Sequence, residues 1–120
     1  MTVIIPFPLP GLNEYIEAER SHRKKGASMK RKWQAAVAAS LRRQLRGALR
    51  EPVTMRYTWY ERSRRRDKDN ISAFGRKVIQ DSLVGMGVLR NDGWANIKGF
   101  SDRFQGDKKY PRVEIEIEEA

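Results

Sequence analysis

The stretch VTMRYTWYERSRRRDKDN, residues 53–70, decides how this chain folds. In its first half Val53, Met55, Tyr57 and Trp59 alternate with Thr54, Arg56, Thr58 and Tyr60. A period of two predicts a half-buried β-strand over Val53–Tyr60. The second half drops the alternation for Arg64, Arg65, Arg66, Asp67, Lys68, Asp69 and Asn70. Beyond it Ile71, Phe74, Val78 and Ser82 recur at helical spacing, with Ile79 and Met86 at the margin, which predicts a helix over Asn70–Met86. Asp67 or Asp69 stands near its start. Carboxylates placed between a strand end and a helix start are held more rigidly than on a free loop.

Working outward to the N-terminal side, Pro52 breaks a second periodic pattern. Trp33, Val37, Leu41 and Leu45 step by four, so a helix is expected over Met29–Leu49, with Ser28 as its N-cap. Residues 17–27 are basic and lack apolar periodicity. They are expected to form a mobile loop, either a solvated connection or an arm that touches a polyanion. Leu12–Ile16 reads as a brief helical turn, and Thr2–Phe7 as a buried strand that Pro6, Pro8 and Pro10 terminate.

On the C-terminal side Gly85, Gly87 and Asn91-Asp92-Gly93 are turn signals. Trp94–Phe104 is expected to be a strand, Gly106-Asp107 a turn, and Tyr110–Glu118 a last strand. Its outer row of Glu114, Glu116 and Glu118 is expected to lack basic partners and reads as a solubilising face. The order β-α-β-α-β-β implies one α+β domain over residues 1–120, a mixed sheet with two helices, whose last two strands form a hairpin.

Composition narrows the chemistry. The chain has 120 residues, 25 Lys or Arg against 15 Asp or Glu, and a formal charge of +10, which points to a polyanionic partner. Between Arg20 and Arg50 every charged side chain is basic. Arg23, Lys24, Lys25, Lys30, Arg31 and Lys32, together with Arg64, Arg65, Arg66 and Lys68, are therefore the expected phosphate contacts. There is no cysteine and a single histidine, His22, so thiolate and histidine-rich zinc sites are excluded. Any metal must be held by oxygen, which favours Mg²⁺, with Mn²⁺ as a substitute. No apolar run reaches the ~20 residues of a membrane span, and no charged segment precedes the apolar start. A soluble, cytoplasmic protein without membrane partners is expected.

All the aspartates lie at or after Asp67. Asp67, Asp69 and Asp92 would supply oxygen ligands to one or two cations. Such cations neutralise a scissile phosphate and lower the pKa of an attacking water. Lys77 would neutralise charge developing on the phosphate or orient the nucleophile. Asp81 is either a further ligand or the residue that holds Lys77. At ~100° per residue Asn70, Lys77 and Asp81 fall on one polar stripe that begins at the Asp67/Asp69 end of the helix.

Asp67-x-Asp69-Asn70, Lys77-x-x-x-Asp81-Ser82-Leu83 and Gly87-Val88-Leu89-x-x-Asp92, with Pro6, Pro8, Pro10, Asn13 and Tyr15 near the start, resemble the RusA family of Holliday junction resolvases, many of them prophage-borne. The resemblance implies a small, basic, Mg²⁺-dependent homodimer that nicks four-way DNA junctions symmetrically in recombination and repair. It implies that Asp67, Asp69 and Asp92 are the essential carboxylates and that Lys77 is the active-site lysine. Two positions depart from the family pattern. The family lysine lies four residues after the second aspartate, where this chain has Ala73. Lys77 keeps the azimuth but stands one turn, ~6 Å, further along. Asn91 replaces the first aspartate of a frequent Asp-Asp pair and is kept as a supporting residue with Asn70. Alternatives are a catalytically impaired or non-enzymatic branched-DNA-binding phage protein, and a nuclease acting also on forks or flaps. In a purely structural reading the carboxylates merely balance the arginines.

Overall fold

A computed structural model describes all of residues 1–120. The elements run β1 (Thr2–Ile5), α1 (Leu12–Ser21), α2 (Arg23–Arg42), β2 (Val53–Glu61), α3 (Lys68–Gly85), β3 (Ile97–Gly106) and β4 (Arg112–Glu118). The fold is α+β, with three helices on one face of a mixed four-stranded sheet of order β1-β4-β2-β3. The alternation in β2 does what its period requires: Val53, Met55, Tyr57 and Trp59 are all buried. They join Val3 and Ile5 of β1, Val113, Ile115 and Ile117 of β4, Val37 and Leu41 of α2, and Ile71, Phe74, Val78, Ile79 and Leu83 of α3 in a single apolar core. No buried side-chain polar atom lacks a partner. The Tyr57 hydroxyl, for instance, accepts from Gln80 Nε2 of α3 at 3.2 Å.

The structure corrects three expectations. Residues 17–27 are not a loop, and the helices number three. α1 and α2 meet at His22, whose extended backbone (φ −168°, ψ 133°) breaks the helix while its Nδ1 accepts the Lys24 amide at 3.0 Å. His22 is thus the N-cap of α2, and Ser28 lies inside the helix. Glu, Ala, Lys and Arg are good helix formers, and α1 buries no residue, so apolar periodicity was the wrong detector here. The two helices approach closely at Gly26, where an added Cβ would lie 2.3 Å from Glu19 Cγ.

Second, α2 stops at Arg42 rather than running to Leu49. Tertiary partners take groups the helix would need: the Leu49 amide donates to the Val88 carbonyl at 3.0 Å and the Arg50 amide to Glu119 at 2.8 Å. Gln44 turns back to bond both the amide and the carbonyl of Ile4 at 2.7 Å.

Third, β3 and β4 are not a hairpin. β3 pairs parallel with β2, and β4 lies antiparallel between β2 and β1. The segment after β3 therefore crosses over the end of β2. Asp107 Oδ1 accepts the amides of Lys109 and Tyr110 at 3.1 and 3.0 Å, and the Arg112 guanidinium lies 3.7 Å from the Tyr60 ring centroid. β2-α3-β3 is a parallel crossover unit, the usual way to join parallel neighbours. The glutamates of β4 do have basic partners: Arg56 of the neighbouring β2 reaches Glu116 and Glu118 at 3.6 Å each, and Arg112 of β4 itself reaches Glu114 at 2.7 Å.

No helix is long and apolar enough to cross a membrane.

Candidate functional site

The turn from β2 into α3 puts Asp67 at the N-cap of α3 and Asp69 in its first turn. An N-cap aspartate ordinarily accepts a helix amide. Asp67 does not: it makes no side-chain cap bond. Neither its carboxylate nor that of Asp69 takes part in an ion pair, although Arg64, Arg66 and Lys68 line the same cleft of about 780 Å³. The far wall is Phe104, Gln105 and Gly106 of β3. Two carboxylates with free oxygens therefore face a cleft bordered by cations at the positive end of a helix dipole.

The neighbouring cations differ in role. Arg64, Arg65 and Lys68 are exposed and have no carboxylate partner. Arg66 is engaged inside the fold. Its Nη2 donates to Glu61 at 2.7 Å and to the Leu9 carbonyl at 3.3 Å, and its Nη1 to Glu14 at 3.3 Å. Asn70 also serves the fold, accepting the Asn13 amide at 2.7 Å and so tying α1 to α3.

Lys77, Asp81 and Asp92 form a second cluster further along α3. Lys77 Nζ lies 2.8 Å from Asp92 and 3.1 Å from Asp81. Asp81 is also held by Lys30 at 3.0 Å and accepts from Gln34 Nε2 at 3.4 Å. Hydrogen bonding to Asp92, then to Asp81, raises the Lys77 pKa above its ordinary value, and the Lys77 ammonium holds the Asp92 carboxyl below its own. Asn91 Oδ1 accepts the Asp92 amide at 2.8 Å. Eight helical residues, ~12 Å of rise, separate Asp69 from Lys77. The structure thus keeps the pairs Asp67/Asp69 and Asp81/Asp92 apart, and no three acidic or histidine side chains converge on one metal-sized point within the chain.

Two oxygen ligands with water completing the shell are a common way to hold Mg²⁺, and Asp67 and Asp69 fit that description. Asp81 and Asp92 do not join them within one chain.

Arg23, Lys24, Lys25, Arg31 and Lys32 are exposed on α2, whereas Lys30 is half-buried against Asp81. Sequence reasoning missed Glu61 and Gln34, and the pairing of Lys30 with Asp81. Each enters through a tertiary contact that no local spacing announces.

Comparison of the chain with protein-family models and with curated proteins returned no match.

Proposed function

We propose that the chain is a Mg²⁺-dependent, structure-specific endodeoxyribonuclease that acts on four-way DNA junctions as a homodimer, in recombination or repair in the cytoplasm of a bacterial or phage-infected cell. The observation that carries this reading is the unpaired state of Asp67 and Asp69 in a cleft otherwise rich in cations. Carboxylates that only balanced charge would be paired with the arginines beside them. The resemblance of the Asp67-to-Asp92 stretch to the RusA family adds support. A bound Mg²⁺, or Mn²⁺, would supply charge neutralisation of the scissile phosphate and acidification of the attacking water. Asp67 and Asp69 hold and orient the cation. Arg64 and Lys68 receive flanking phosphates at the cleft rim. Lys77 keeps Asp92 ionised. Exposed cations on α2 grip a DNA arm by its backbone, reading shape more than sequence. A two-fold dimer matches the two symmetric phosphodiesters of a junction.

The test is a labelled synthetic four-way junction beside a matched duplex, with Mg²⁺ or with EDTA. Paired symmetric nicks on the junction alone, dependent on metal and lost in Asp69→Asn while binding persists, are the expected result. An Asp69→Asn protein as active as the parent would end the proposal.

One observation favours a second reading, a branched-DNA-binding protein that does not cut. Lys77 is closed by two carboxylates, and Asp92 is thereby withheld from the Asp67/Asp69 pair. Salt-sensitive junction binding with no cleavage in Mg²⁺ or Mn²⁺ would select it.

A further inference from the structure

Trp94 is fully exposed, at 101% of its reference accessibility, whereas Trp59 is buried at 1% and half-buried Trp33 leans on Phe7. A free indole on a surface is unusual, since so large an apolar face gains by leaving water. Its loop is also firmly built. The Glu51 carboxylate grips both ends of it, accepting the Arg90 amide at 3.0 Å and Asn96 Nδ2 at 2.6 Å. Inside the loop the amides of Asn96 and Ile97 donate to the Gly93 carbonyl at 3.1 and 3.0 Å, and the Gly93 amide donates to Asn96 Oδ1 at 3.2 Å. The middle of the same loop carries Asp92, held by Lys77. The indole is therefore presented from a braced turn, and its ordering on contact costs little beyond two side-chain torsions.

We propose that Trp94 is a stacking platform for an unpaired nucleobase, and that it biases the protein toward DNA with an open strand or branch point. This rests on the nucleic-acid reading of the preceding subsection, though not on cleavage. The loop surroundings favour a base over a protein surface. Asn91, Ala95 and Asn96 flank the indole in sequence, Arg90 and Lys98 are exposed cations on either side, and the chain carries +10. A fully exposed aromatic in a stretch with exposed cations at Arg90 and Lys98 suits a base with its phosphates, because every base has a π-face. A protein contact would call for a contiguous apolar patch. Bases in the interior of a duplex are already stacked on both faces, so an unpaired base is the occupant the indole can reach along a strand.

The experiment is a titration in EDTA of the wild-type chain, Trp94→Phe and Trp94→Ala with a short oligo(dT) strand and with a long duplex in which end faces are few per nucleotide. Binding is followed by anisotropy of the labelled DNA and by tryptophan emission. Subtracting the Trp94→Phe emission isolates Trp94 from Trp33 and Trp59. The expected result is quenching of Trp94 by oligo(dT), affinity of Trp94→Phe within about threefold of wild type, and a roughly ten- to hundredfold loss for Trp94→Ala on oligo(dT) with the duplex unaffected. Equal oligo(dT) affinity in Trp94→Ala and wild type would overturn the proposal. So would an equal loss on duplex, or a change of oligomeric state in Trp94→Ala on size exclusion, which would assign the indole to a protein contact. Stacking without junction cleavage in Mg²⁺ would remove the nuclease reading and leave this one standing.

Discussion

Lys77 holds two carboxylates at once, and the consequence is legible in a titration. Asp92 lies below the ordinary aspartate value because Lys77 donates to it. A depressed carboxyl contributes stability that is present above the unfolded value, near 3.8, and is lost as pH falls through the lower folded value. Lys77 is raised, so its contribution is present below 10.5 and is lost as pH rises through the higher folded value. With the Lys77 side chain 55% exposed, solvent screening keeps both contributions small. Lys77→Met is therefore expected to move the Asp92 carboxyl titration upward toward its ordinary range, read by carboxyl-carbon NMR, while leaving the thermal midpoint nearly unchanged at neutral pH. An unmoved Asp92 titration would mean that the pair does not form in solution.

At the scale of elements, α3 packs against α1, α2 and β2. It seats against β2 at Gly75, where an added Cβ would lie 2.8 Å from Trp59 Cζ3 and 3.2 Å from Leu9 Cδ1. The indole cannot retreat, because its Nε1 donates to Asp102 at 2.8 Å and Asp102 is paired with Arg76 at 2.6 Å. Gly75→Ala would gain about 1 kcal/mol of helix propensity against an overpacking cost of about 1–3 kcal/mol. A net loss of about 1 kcal/mol in urea unfolding is expected, and a more stable variant would contradict this geometry. The start of α3 depends on Arg66, which joins Glu61 of β2, Glu14 of α1 and the Leu9 carbonyl. Arg66→Met leaves the 13% exposed Glu61 side chain unpaired, so a loss of about 1–3 kcal/mol is expected. Arg66→Lys would recover little of it, since one ammonium cannot reach three acceptors in a fork. Alanine at Arg64, by contrast, should leave stability unchanged and weaken DNA binding.

For the whole molecule the surplus of ten positive charges predicts salt-sensitive association. Each phosphate neutralised on a duplex arm adds ~0.9 to the slope of log affinity against log salt. Replacing Lys24, Arg31 and Lys32 together by alanine should lower that slope by about 2–3. The same triple change in a protein that does not use α2 would alter neither slope nor affinity. Sedimentation with and without junction DNA tests the proposed homodimer, expected at twice the chain mass alone and at two chains plus one junction when DNA is present.

What the sequence determined by itself was what period and residue type can carry. β2 and the core face of α3 followed from alternation and helical spacing. The last strand followed from Val113, Ile115 and Ile117, all of which are buried. The Lys77–Asp81 pair followed from a spacing of four. The exclusion of thiolate and histidine-rich metal sites followed from the absence of cysteine and the single histidine. Only the tertiary structure decided the rest, because the deciding contacts join residues far apart in the chain. α1 shows an apolar spacing only in Leu12, Tyr15 and Ile16, and its second half, which buries no residue, left none to detect. β4 entered between β1 and β2, where cross-strand pairing and not loop length sets the neighbour. The four aspartates divided into two groups because α3 is a rigid rod whose rise separates Asp69 from Lys77, and Asp92 was drawn to Lys77. Arg66 looks like its neighbours Arg64 and Arg65 in sequence. It differs from them only because Glu61, Glu14 and the Leu9 carbonyl converge on it in space.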